Sequence, residues 1–190
     1  VSVHDFNATI AHLMGVNPAS PVVVPGGRAL TLAGPDTSPN RGKPIAAPPR
    51  PYSRVRVSPD GTRIALEIDD EDQDIWVWHV ARQTLTRVTT DPGLDESPEW
   101  TPDGRRLIFT SQAGGVLGSL FSRPADGTGA AERLTEGHFI QRPTAVLPDG
   151  LHVVFSESNA LQLLSLDQSR AVRRLVERTP GGGVVSPDGR

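Results

Sequence analysis

The sequence predicts an all-β chain assembled from repeated four-stranded units, and three observations carry that reading. A turn tetrad, x-P-D-G, begins at Ser58, Thr101, Leu147 and Ser186, at spacings of 43, 46 and 39 residues. A period near forty residues suits a unit of four short strands. After the first three turns come "TRIALEI", "RRLIFTS" and "LHVVFSE", alternating or continuously apolar runs that read as strands.

The tetrad has a physical logic. Proline (Pro59, Pro102, Pro148) presets φ at the second position, and aspartate (Asp60, Asp103, Asp149) suits the third. Glycine (Gly61, Gly104, Gly150) takes the left-handed position that closes a hairpin with a bulge. The rest of each unit repeats too. "SRVRV", "SPEWT" and "RPTAVL" precede the turns as first strands, and "GGGVV" opens a further unit. "DIWVWHV", "SLFSRPA" and "ALQLLSL" read as third strands, and runs ending in "TRVT", "ERLT" and "RRLV" as fourth strands. The expected architecture is a partial β-propeller: blades at about 52–90, 95–135 and 140–176, and the start of another at 182–190. A sandwich with coincidental hairpins is the weaker alternative, because the order of strand signals is kept from unit to unit.

Residues 1–51 have a different texture. Nine of the 18 prolines fall there, and proline removes a ladder donor and restricts its predecessor. Phe6, Ile10, Leu13 and Met14 form one apolar helical face, so a short helix is expected at about Asp5–Met14, with Gly15 as its stop. "VVV" at Val22 reads as a strand, followed by a Pro-rich linker to Pro51.

Composition narrows the function classes. The net charge is −3, from 19 basic and 22 acidic residues, and only Lys43 among the basic ones is lysine. This argues against nucleic-acid binding through a basic surface. Cysteine is absent, which excludes disulfide scaffolds, cysteine zinc sites and cysteine nucleophiles. No run approaches 18 apolar residues, so no membrane span is expected in this chain. The chain opens at Val1 without methionine and stops just after a turn tetrad, which suggests that both ends are cut points. An open arc of blades would leave unpaired strand edges, so self-association is expected.

The pattern "SP-W-TPDG-R-L-I-F-S … L-F … ADG … RLT" resembles the TolB-type propeller repeat, related to WD repeats. Segments such as "PIAAPPRPYSRVRVSPDGTRIAL" make it most similar to the C-terminal propeller of bacterial eukaryotic-like serine/threonine kinases. His79 stands where that pattern would place an aspartate. The resemblance spans about residues 44–190 and implies a recognition module in a sensor, kinase-associated or periplasmic protein, with an extracytoplasmic setting favoured. Residues 1–43, with "VHDFNATIAHLMGV" and "PGGRALTLAG", resemble the C-terminal tail of secreted sulfatase-like proteins. That likeness implies the alternative, a hydrolase tail joined to a propeller.

No catalytic residue is expected in this chain. The kinase glycine-rich loop, "HRD" and "DFG" are missing, as is a G-x-S-x-G nucleophile elbow. His4 and His12 could share a helix face, but no H-E-x-x-H spacing supports a metal site, and neither metal nor cofactor is expected. "DDEDQD" at Asp69–Asp74 resembles a calcium loop superficially, yet it lacks the central glycine and distal glutamate. A solvated loop is the better reading. Trp76, Trp78, Trp100, Phe109, Phe121 and Phe155 are read as packing between blades.

Topology then suggests where binding belongs. Loops joining second to third strands share a face with blade-to-blade connections, opposite the P-D-G turns. Asp70, Asp72, Asp91, Asp95 and Glu96 are expected to form an acidic rim there beside His138 and Arg142. A protein or peptide ligand, basic in character, is the expected partner.

Overall fold

Three antiparallel sheets of four strands each succeed one another along the chain. The computed structural model describes residues 22–23, 29–30, 47–70, 72–115 and 117–177. The helix expected at Asp5–Met14, His4, His12 and the fourth tetrad at 186–189 lie outside the described residues. A two-residue pair, β1 (Val22–Val23) with β2 (Ala29–Leu30), precedes the sheets.

The first blade is β3 (Tyr52–Val57), β4 (Arg63–Asp69), β5 (Gln73–His79) and β6 (Thr84–Arg87). The second is β7 (Asp95–Trp100), β8 (Arg106–Ser111), β9 (Ser119–Pro124) and β10 (Glu132–Arg133). The third is β11 (Gln141–Val146), β12 (His152–Glu157), β13 (Ala160–Ser165) and β14 (Val172–Val176). Every blade is a meander in chain order, the topology of a propeller blade. Second strands are buried on both faces, as the near-continuous burial of β4 and β8 shows. Outer strands are short or exposed; β14 is exposed along its whole length. Each first strand carries a register shift, at Tyr52/Arg54, Glu96/Glu99 and Pro143/Ala145. Pro143 sits in such a strand because a sheet edge tolerates a missing donor.

The three turns share one design with one exception. Gly61, Gly104 and Gly150 have φ of 71°, 66° and 67°, and each donates its amide to the carbonyl of the first tetrad residue at 2.8–2.9 Å. Ser58 Oγ donates to Asp60 Oδ1 (2.6 Å) and accepts from the Arg63 amide (2.9 Å). Thr101 does the same with Asp103 and Arg106. Leu147 has no hydroxyl; Asp149 instead pairs with His152 Nδ1 at 2.7 Å.

Interfaces between blades, here called seams, hold most of the core; a further cluster of Val55, Ile64, Leu66, Ile68 and Trp78 lies on blade one alone. The first seam packs Ala65, Ile75, Val77 and Val88 of blade one against Trp100, Leu107, Phe109, Phe121 and Ala125 of blade two. The second packs Ile108, Leu120 and Leu134 against Val153, Phe155 and Leu164. Polar latches join the seams at matching positions. Thr89 Oγ1 accepts the Ile75 amide at 2.9 Å, and Thr135 Oγ1 accepts the Leu120 amide at 2.9 Å. Thr135 in turn donates to the buried Gln141 of the next blade. Glu67 and Thr110 occupy equivalent places in second strands. Glu67 Oε2 accepts the Ser97 amide at 2.7 Å, and Thr110 donates to the Gln141 carbonyl at 2.6 Å.

Candidate functional site

The loops opposite the P-D-G turns are drawn together by backbone contacts. Gln112 donates its amide to Leu94 O and Gln141 to Gly118 O, both at 3.0 Å. Gly93, at φ 127°, lies so close to the following loop that a Cβ would sit 3.0 Å from the Gln112 carbonyl carbon. Segments 90–94, 112–115 with 117–118, and 136–140 therefore make one continuous face.

On that face the expected rim residues are mostly paired. Asp70 meets Arg50 at 2.6 Å, Asp72 lies 3.9 Å from Arg87, Asp91 lies 3.9 Å from Arg123, and Glu96 meets Arg142 at 3.0 Å. Each surface carboxylate of the rim has a guanidinium within 4 Å, Arg87 being shared with the buried Asp74, which it bonds more closely, so this is a ring of ion pairs and not a bare acidic surface. The Arg50 and Arg87 guanidiniums flank the half-buried Trp76 ring at 5.0 and 6.0 Å from its centroid. Together with Asp70, Asp72 and Asp74 they line a depression of about 430 Å³.

Asp95 departs from the expected placement. It is the first residue of β7 rather than a loop residue, and it is 2% exposed within the first seam. Its Oδ1 has no hydrogen-bond partner. Burial pushes its carboxyl up to about 6, with the Ser111 and Thr89 hydroxyls opposing and the Asp74 and Asp91 charges reinforcing the shift. The reason lies in the repeat: Asp95 occupies the seam position that Gln141 fills one blade later. His138 does lie on the loop face and is exposed.

Sequence reasoning missed the apolar part of this face. Leu94, Leu117, Phe139 and Ile140 are 44%, 64%, 61% and 38% exposed, and all four stand on the converging loops. The signal was available, since large apolar residues in loops without strand periodicity have no core to enter. Among the described residues, no three His, Asp or Glu side chains gather as metal ligands, and no helix is long and apolar enough to cross a membrane.

Three consecutive four-stranded meanders, packed face to face, define a segment of a β-propeller. The chain belongs to the PD40 family, the TolB beta propeller domain, whose model matches residues 41–190. It is similar to TolB from Acinetobacter baumannii, with TM-score 0.64 and 21% identity, covering 76% of this chain and 37% of that one. A TolB candidate from Agrobacterium tumefaciens gives TM-score 0.57 at 25% identity, covering 68% and 50%. Among curated relatives, the uncharacterized peptidase YuxL of Bacillus subtilis is 29% identical over 108 residues, covering 53% of this chain. The uncharacterized protein Atu1656 of Agrobacterium fabrum is 29% identical over 153 residues, covering 70%. The chain spans 16% and 50% of the lengths of these two relatives.

Proposed function

We propose that this chain is a non-catalytic recognition module that binds a protein or peptide on its loop face. The observation that carries the reading is the exposure of Leu94, Leu117, Phe139 and Ile140 on loops that meet. Apolar side chains gathered on one rigid face favour burial against a partner, and the surrounding ion pairs supply direction and selectivity. A partner with basic side chains would exchange with Arg50, Arg87 and Arg142 for the rim carboxylates. The relatives' greater length supports placing these blades within a larger polypeptide. The peptidase in one relative's name does not transfer, because only 16% of that protein is matched and no G-x-S-x-G elbow occurs in this sequence.

Fluorescence anisotropy with a labelled peptide alternating arginine with leucine or phenylalanine tests this. The double variant Leu117→Asp/Phe139→Asp should weaken binding at least about tenfold, since two apolar anchors are lost. Asp72→Asn should weaken it by a few-fold and flatten its salt dependence. Binding that is indifferent to all three substitutions would sink the proposal.

A further inference from the structure

The two seams are built from equivalent positions, and strand register fixes the equivalence. Trp100 pairs with Leu107 at the end of β7, and Val146 pairs with Val153 at the end of β11. Val77 pairs with Ala65, and Ser122 with Ile108. Phe121 pairs with Phe109, and Gln162 with Phe155. Arg63 and Arg106 each open a second strand after its turn.

In the first seam Trp100 is 7% exposed and fills the turn side. Its indole N–H donates to the Arg56 carbonyl at 2.9 Å. The Arg63 guanidinium lies over the ring, 4.9 Å from its centroid, and donates across the seam to Gly104 O at 2.7 Å. In the second seam valine replaces the tryptophan, serine the valine and glutamine the phenylalanine, while Ile108, Leu134 and Leu166 stand for the smaller Ala65, Val88 and Ala125. Arg106 does not cross; it turns back to Ser122 Oγ at 2.8 Å and lies 3.7 Å from Glu132. With Arg106 held back, a cavity of about 480 Å³ lies between the turns at 101–104 and 148–150. Ile108, Leu134 and Leu166 line its apolar part, and Asp103, Arg106 and Glu132 its polar part. That size lies within the range of small-ligand pockets, about 300–1,000 Å³.

We propose that this cavity receives one aromatic side chain, tryptophan or tyrosine, from a partner polypeptide, with Arg106 closing over the ring as Arg63 does over Trp100. The repeat itself identifies the ligand chemistry. A flat ring with a polar edge satisfies the first seam, combining apolar contact, a cation over the ring face and a hydrogen bond at the rim. The second seam keeps the arginine over an apolar floor, here Ile108, Leu134 and Leu166 in place of Ala65, Val88 and Ala125, and has no ring of its own beneath the arginine. This site lies on the turn face, away from the loop face proposed above, and Leu117→Asp/Phe139→Asp, which removes the apolar anchors of the loop face, should leave binding of an uncharged aromatic probe unchanged.

The test is titration of the full 190-residue chain with N-acetyl-5-fluorotryptophanamide, followed by fluorine NMR line broadening. Wild type should bind saturably, and N-acetylalaninamide should not compete. Val146→Trp supplies the missing ring from within and should abolish binding while raising the melting temperature. Arg106→Ala should weaken binding roughly 3- to 10-fold, and Asp72→Asn on the other face should leave it unchanged. Should Val146→Trp fail to fold, Ser122→Leu narrows the same cavity and should also abolish binding. Absence of saturable binding by wild type, or undiminished binding by a folded Val146→Trp or Ser122→Leu chain, overturns the proposal.

Discussion

In the first seam an indole bridges two blades beneath an arginine; in the second, a valine holds that place and the arginine stays at home. The strand order and register are the same in each blade, so the difference lies in the side chains and in where the arginine goes. A blade seam therefore tolerates a range of fillings, because the strand ladders within each blade and the Glu67–Ser97 and Thr110–Gln141 bonds between blades fix the spacing independently. The largest expected effect follows from this contrast. Trp100→Ala should cost about 3–5 kcal/mol, as for other buried large aromatics, whereas Val146→Ala should cost about 1 kcal/mol, because that side chain is smaller and only partly buried. Urea denaturation of both variants measures the gap; equal losses would show that the two seams are packed alike.

The seams also differ in charge. Gln141 places a neutral amide between Thr135 and Glu157, accepting from the first and donating to the second at 3.0 Å. Asp95 places a carboxyl at the matching site, buried and with one oxygen unpartnered. A carboxyl held up at about 6 binds its proton more tightly folded than unfolded. Its contribution to stability is complete below the ordinary value of 3.8 and is lost as pH rises through about 6. Asp95→Asn should remove that loss and stabilise the chain at pH 7.5 by on the order of 1–2 kcal/mol. Thermal melts at pH 4.5 and 7.5 read the effect; a variant less stable than wild type at pH 7.5 would show that the Asp95 charge is used in the seam.

How much of this was legible from residues alone varies with the kind of constraint. The first three tetrads announced the hairpins between first and second strands because proline and glycine at fixed offsets reflect backbone geometry, which is local. Trp78, Trp100, Phe109, Phe121 and Phe155 were legible as core because a stacked blade has few other places for them, and each is buried. Trp76 was read the same way and is instead half-buried between two arginines. The pairing of rim carboxylates with Arg50, Arg87, Arg123 and Arg142 was not legible. Those partners come from 15 to 46 residues away along the chain, and only blade stacking or strand pairing brings them near. Asp95 was misplaced for a related reason: "TDPGLDES" looks like a polar loop throughout, yet its last residues begin an inner strand whose first side chain points into the seam.

The smallest expected effect concerns the turn face, and its sign opposes that of the Asp95 seam. The Ser58 hydroxyl, with the Thr62 amide, holds Asp60 down to about 2, and the Thr101 hydroxyl holds Asp103 below its ordinary range. Asp149 is also lowered, first by the Leu151 amide and then by His152. A depressed carboxyl contributes stability above its unfolded value and loses it as pH falls through the folded one. These groups are exposed, so each contribution is small. Acid titration followed by circular dichroism should show unfolding that sets in at higher pH when the hydroxyls are removed, most clearly in Ser58→Ala/Thr101→Val. The turn at Leu147 has no such hydroxyl and relies on His152, so His152→Gln should weaken that turn without reproducing the double variant's shift. If the hydroxyl variant and wild type unfold at the same pH, the aspartates brace their turns through the backbone amides alone, and the difference between the Ser58 and Leu147 turns carries no energetic weight.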